Sequence, residues 1–187
     1  CGTVEATGVG FDLVFKSSKA AVRNGNGGIS PGGTNDHNLF YYSITRMEVQ
    51  GTLTQDGNTA QVRGSGWYDH EFGGDNTHKN ARSKNPKYKW IWIGVQLDDG
   101  REVVYAVTDD PVKKVQIGKM AMIVRADGST SIHDDESSVV THRTWSSLKT
   151  YVSYGTAWTL VVGEGDDQIT LELEAAGDNQ ELVSIIS

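Results

Sequence analysis

Apolar and polar residues alternate with a period of two along most of the chain, and no stretch keeps an apolar stripe at helical spacing for the roughly ten residues a helix needs. The pattern predicts an all-β protein. Three Asp-Gly pairs, Asp56-Gly57, Asp99-Gly100 and Asp127-Gly128, each lie between alternating runs. Asp-Gly readily supplies the positive φ angles of a tight hairpin turn. The prediction is therefore three consecutive hairpins: Met47 to Thr54 with Thr59 to Tyr68, Trp90 to Leu97 with Glu102 to Thr108, and Met120 to Arg125 with Ser129 to His133. Further strands are expected over Thr150 to Ser153, Ala157 to Val162 and Gln168 to Glu174. Consecutive hairpins form an antiparallel up-and-down meander, which removes its exposed edges by closing into a β-barrel with room inside for a ligand.

Two stretches interrupt the alternation. Asn24 to Asn38 is rich in Gly, Asn and Asp around Pro31, and Gly73 to Pro86 is polar with scattered Lys and Arg. Both read as long loops, either solvated connections or lids at a pocket mouth.

Composition narrows the partners. A chain of 187 residues can close one sizeable core. Its net charge of −7, with both signs interspersed, gives no nucleic-acid footprint and no polybasic membrane patch. No apolar run approaches the roughly 20 residues of a membrane span. The expected partner is an apolar small molecule. Cys1 is the single cysteine, so no internal disulfide framework or cysteine-based zinc site is expected. It also leaves secreted and cytoplasmic placement equally open. Lipidation at Cys1 is disfavoured because Gly2 to Phe15 already reads as strand, without a polar tether. His37, His78, His133 and His142 are scattered singly through polar context and read as surface residues, so no metal site and no cofactor is expected. No phosphate loop or nucleophile elbow is present.

Candidate chemistry gathers in Gly64-Ser65-Gly66-Trp67-Tyr68-Asp69-His70-Glu71-Phe72-Gly73. On a strand Trp67, Asp69 and Glu71 share one face and Tyr68, His70 and Phe72 the other, same-face neighbours standing about 7 Å apart. A carboxyl group beside an indole in a dry pocket holds its proton more tightly and can act as a general acid. The structural alternative is that Asp69 fixes the turn into the following loop, through the amides of Gly73 and Gly74 or through Arg46 or Arg63. In Lys87 to Leu97, Tyr88, Trp90, Trp92 and Gln96 face one way and Ile91, Ile93, Val95 and Leu97 the other. An aromatic face ending in a single amide suits the wall of an apolar pocket, as it also suits a core that simply needs volume. Trp145 and Trp158 add to the aromatic supply.

The order Tyr41-Tyr42-Ser43-x-Thr45-Arg46, Gly64-x-Gly66-Trp67-x-Asp69-His70-Glu71-Phe72-Gly73, and Trp90-x-Trp92 followed by Gln96-Leu97-Asp98-Asp99-Gly100 resembles the hydroxyneurosporene synthase, carotenoid hydratase or AttH-like family, and Gln180-Glu181-Leu182 resembles a late strand of it. The resemblance implies lipocalin-like barrels in facing pairs, and an apolar isoprenoid or polyketide substrate converted without a cofactor. It places Asp69 at the position of the proposed proton donor of the carotenoid hydratases. Trp67 stands where those enzymes carry tyrosine, and Glu71 where they carry asparagine. The resemblance also assigns residues 1–38 to closing strands of a preceding barrel plus a linker loop and 39–187 to the barrel itself, incomplete at both ends, so that either the chain is a fragment or a second barrel domain or partner chain supplies the missing strands. The reading leans towards an enzyme, a hydratase, isomerase or cyclase, with Asp69, His70 and Glu71 as catalytic candidates. Trp67, Trp90, Trp92, Tyr42 and Gln96 are its substrate-binding candidates. A non-catalytic carrier of a hydrophobic ligand is the second reading, and a structural or assembly protein the third.

Overall fold

The computed structural model describes residues 2–4, 8–25, 27–30, 39–73 and 89–182. Within the two predicted loops, residues 26, 31–38 and 74–86 lie outside the described set, as do Cys1, His37, His78 and Tyr88. The described residues form antiparallel strands with one short 3-10 turn at Gly165–Asp167 and no α-helix, so the all-β expectation holds. No helix among them is long and apolar enough to cross a membrane.

All three Asp-Gly pairs sit at turns. Asp56 (φ 52°) and Gly57 (φ 80°) form the two-residue tip of a long hairpin, β5 (Leu39–Gln55) with β6 (Asn58–Gly73). Gly100 (φ 85°) and Gly128 (φ 86°) close the tips joining β7 (Lys89–Gln96) to β8 (Glu102–Asp110) and β9 (Val115–Val124) to β10 (Thr130–Ile132). There the Asp99 and Asp127 carboxylates accept hydrogen bonds from the N–H groups of Arg101 and Ser129.

The chain forms two compact units, Cys1–Ile132 and His133–Ser187. In the first, β5 is the central strand of one sheet, with β6 along one side. Along its other side run β1 (Gly2–Val4, through β2), β2 (Val9–Ser17), β3 (Val22–Arg23) and β4 (Ile29–Ser30). A second sheet has the order β10-β9-β8-β7. The other unit is a meander of β11 (Ser137–Ser146), β12 (Ser153–Val162) and β13 (Ile169–Glu174). Among the described residues the hydrogen bonding therefore runs through three sheets rather than around one closed barrel.

Two local expectations change. Thr150 to Ser153 is not a strand: Ser147 Oγ accepts from the N–H groups of Lys149 and Thr150, which folds the segment into a turn before β12. β11 has no predicted counterpart, because Ser, Thr, His and Arg fill the positions where its alternation would show.

The β5–β6 hairpin has two halves, divided where the register shifts between Ile44 and Met47. In the half away from the tip, Tyr41 and Trp67 pack on a core of Val22, Val104, Met120, Met122 and Val124. In the half nearer the tip, the β2–β5–β6 register places Phe11, Leu13, Phe15, Val49, Leu53, Ala60 and Val62 on one face and Asp12, Lys16, Glu48, Gln50, Gln61 and Arg63 on the other. The Phe15 ring lies over Gly66 on that apolar face, where Phe15 remains half exposed.

The apolar half needs a close approach of backbones. Gly51 (φ 154°) pairs with Leu13, and a Cβ there would stand 2.0 Å from the Asp12 carbonyl oxygen. Gly51→Ala is expected to destabilise the protein by about 2–3 kcal/mol, the scale of an overpacked contact between rigid groups. Gly64→Ala, at a position with nothing within 4 Å of the added carbon, is expected to be nearly neutral. Equal urea midpoints for the two variants would contradict this account.

Candidate functional site

Strand pleating brings the polar centre together. Tyr41, Ser43 and Thr45 alternate on β5, and across the hairpin Ser43 pairs with Asp69 while Tyr41 pairs with Glu71. Ser43 and Thr45 are fully buried. On β7, Trp92 and Gln96 occupy the pleat of their partners Ala106 and Glu102 on β8, and Ala106 faces the same core. The Trp92 indole lies over Gly94, where a Cβ would come within 2.5 Å of the ring, so the missing side chain makes room for the indole.

Asp69 is the hub. Its Oδ1 accepts from Trp67 Nε1 at 2.9 Å and from Ser43 Oγ. Ser43 Oγ in turn accepts from Asn24 Nδ2 at 2.6 Å, which fixes the amide orientation because the Ser43 proton is committed to Asp69. Tyr41 Oη accepts from Trp92 Nε1 at 2.9 Å and lies close enough to Asp69 to feel its charge. The Trp67 and Trp92 rings meet edge to face at 5.9 Å. The result is an accessible carboxyl group set against aromatic walls, its position fixed by the buried Ser43 and the half-buried Trp67 indole.

Burial, followed by the negative charge of Asp69, pushes the Tyr41 phenol up to about 12. The folded state therefore holds this proton more tightly than the unfolded chain. The stabilisation is complete below the ordinary tyrosine value of 10 and is lost as pH rises towards 12. In an alkaline absorbance titration Tyr41 is expected among the last tyrosines to ionise, and Asp69→Asn is expected to bring it down. An unchanged titration in that variant would show that the Asp69 charge does not act on Tyr41.

The other predicted residues are distributed as follows. Glu71 is exposed on the Asp69 face. Tyr42 and His70 lie on the opposite face, where Phe40, Tyr42, Tyr68, His70 and Phe72 form an aromatic ladder with ring separations of 5.1 to 6.2 Å. The Tyr42 and Tyr68 hydroxyls both reach His70 Nδ1, at 3.1 and 3.3 Å. Partial burial and a hydrogen bond with Tyr68 raise the Tyr42 phenol. Beside the ladder lies a cavity of about 480 Å³ bounded by Arg23, Gly28, Phe40, Tyr41, Tyr42 and Phe72. Trp90 shares the pleat of Trp92 but sits near the start of β7 and is 69% exposed, making no ring contact with another described residue. Gln96 donates to two backbone carbonyls, Thr45 at 2.8 Å and Gly66 at 2.9 Å, and so ties β7 to the register shift in the hairpin. Arg46 binds Glu102, not Asp69. Among the described residues no three His, Cys, Asp or Glu side chains converge as a metal-binding set.

Nothing in the alternation marks Glu102 as special. It is fully buried beneath the hairpin's register shift, where it accepts from Lys19 Nζ at 2.8 Å, Thr45 Oγ1 at 3.1 Å and Arg46 Nε. Lys19 also donates to the carbonyls of Gly100 and Arg125, and Arg46 to those of Leu97 and Arg101. This cluster pins the β2–β3 connection and the hairpin to the β7–β8 turn. Asn24 and Ser43 were likewise not singled out as site residues. Ser43 was available from the alternation Tyr41-x-Ser43-x-Thr45, whereas Asn24 lies in a loop with no periodicity.

The sequence model of the AttH-like family matches residues 2–187. Among curated proteins none matches in sequence. Among solved structures, a putative AttH from Nitrosomonas europaea is 25% identical with a TM-score of 0.79, over 96% of this chain and 53% of that one. Kievitone hydratase from Nectria haematococca is 21% identical with a TM-score of 0.73, over 95% of this chain and 52% of that one, a likeness of fold alone. The chain spans about half the length of these two structures.

Proposed function

The chain belongs to the AttH-like family, and from that premise we propose that it is part of a cofactor-free hydratase, isomerase or cyclase acting on an apolar isoprenoid or polyketide. The observation that carries the proposal is the Asp69 carboxyl group, open to a ligand yet oriented by Trp67 and Ser43 against the Trp67–Trp92 wall. The hydratase among the solved structures of this fold is consistent with it. The apolar face near the hairpin tip suits a second β-domain or a partner chain.

For hydration, Oδ1 is occupied by the two donors, so the proton to be transferred is carried on Oδ2. Oδ2–H protonates one alkene carbon. The cation left on the other carbon lies near the indole faces, an attraction worth about 2 kcal/mol when desolvated. Water adds to that carbon and returns a proton to Asp69, restoring the acid. Tyr41 keeps its proton at neutral pH and stands beside Asp69 as a neutral phenol. In a cyclase, the same wall would fold a flexible substrate into a reactive conformer.

The test is to incubate the protein with a panel of isoprenoid and polyketide alkenes in heavy-oxygen water and read the products by mass spectrometry. Label uptake, or an unlabelled isomer or cyclised product, supports the proposal. Ligand retained without conversion, with all products absent, overturns it in favour of a carrier.

A further inference from the structure

The unit His133–Ser187 contains its own cleft, of about 430 Å³, walled by Trp145, Tyr154 and Trp158 and edged by Asp178, Gln180 and Glu181. Trp145 and Tyr154 are cross-strand partners whose rings stack at 6.2 Å with an interplanar angle of 24°. A shift of register between Thr141 and Thr144 lets the Trp158 indole lie over Gly155, where a Cβ would come within 2.5 Å of Nε1. Three aromatic rings thus turn towards one space.

The Glu181 carboxylate is held at its edge by neutral donors. Thr150 Oγ1 and Tyr154 Oη donate to Oε1, the latter at 2.8 Å, and Ser147 Oγ donates to Oε2 at 2.6 Å. These hydroxyl bonds hold Glu181 below the usual carboxylate range, and the bond to Glu181 raises the Tyr154 phenol. The carboxylate is therefore charged at neutral pH. Three hydroxyls fix its position but bring no positive charge; Lys149 acts on it only from beyond ion-pair distance, and among the described residues it has no ion-pair partner within 4 Å. Asp178 adds a second negative charge, and no Lys or Arg lines the cleft. An apolar molecule would use the rings and leave the charge unanswered, whereas an inorganic cation would use the charge and waste the rings. An organic ammonium group uses both, since aromatic faces attract a cation and its alkyl shell fills the apolar space.

We propose that the Trp145–Tyr154–Trp158 cleft is a binding site for an organic ammonium ion, with Glu181 as its counter-charge. The site shares no residue with the Asp69 cluster and does not depend on the activity proposed there.

Choline and its neutral isostere 3,3-dimethylbutanol are the probes, followed by calorimetry and by the indole N–H resonances of the protein. Choline is expected to bind and to shift the Trp145 and Trp158 resonances while leaving those of Trp67 and Trp92 in place. The isostere is expected to bind at least about tenfold more weakly. Glu181→Gln keeps an oxygen for the hydroxyls but removes the charge, and should weaken choline by about tenfold, whereas Asp69→Asn should leave binding unchanged. Trp158→Leu is the second variant, in case Glu181→Gln loosens residues 175–182, and should weaken choline comparably. Absence of choline binding, equal binding of the isostere, or shifts confined to Trp67 and Trp92 would each overturn the proposal.

Discussion

Glu102→Ala is expected to cost about 3–5 kcal/mol, because it strands two cations that the fold has withdrawn from water around one buried carboxylate. The Lys19 side chain is 8% exposed and that of Arg46 26%, so the variants should rank Glu102→Ala above Lys19→Ala above Arg46→Ala. For a chain of this length the largest loss corresponds to roughly 10 °C in melting temperature. A double-mutant cycle between Lys19 and Glu102 should show strong coupling, because either single change abolishes the same pair. Raised salt should leave the cost almost unchanged, since screening acts mainly on exposed charges. Additive single mutants, or a loss below about 1 kcal/mol, would reduce the cluster to an ordinary surface ion pair.

Asp69→Asn is expected to lower turnover by about 10²–10⁴-fold, the usual contribution of a positioned proton donor. The melting temperature should change far less, because the asparagine carbonyl can still accept from Trp67 Nε1 and Ser43 Oγ. Glu71→Gln, two pairs further out on the same face and without a side-chain partner holding it among the described residues, should have little effect on either. If Asp69→Asn retains turnover, the acid role is lost and a cyclase that works by substrate folding remains. If it unfolds the protein, Asp69 is a structural anchor of the hairpin.

The alternation in the sequence was enough to place the Asp-Gly turns, to put Trp67, Asp69 and Glu71 on one face, and to set Trp92 and Gln96 on a different pleat from Ile91 and Ile93. These facts depend on strand period and turn chemistry, which are local. How deep each residue lies along a shared pleat is not local. Trp90 and Trp92 are equivalent by period, yet only Trp92 meets Tyr41 and Trp67, which themselves pack on the core. Gln96 looked like a ligand group, but two backbone carbonyls at an irregularity of the hairpin claim its amide. Glu102 was illegible for a related reason: it follows an Asp-Asp-Gly-Arg turn in which every charge reads as solvated. Its burial is decided by Lys19 and Arg46, which arrive from far earlier in the chain.

That separation bears on the order of folding. Thr54 and Thr59, at the tip of the β5–β6 hairpin, are five positions apart, so this ladder can close early over a very short loop. The Lys19–Glu102 bond joins positions 83 apart, and the Arg46–Glu102 bond positions 56 apart. Closing such loops costs chain entropy before any contact offsets it, so the hairpins should be in place when the ion cluster locks. Glu102 substitutions should then leave the refolding rate nearly as it was and speed unfolding instead, the signature of a clasp that is fastened last.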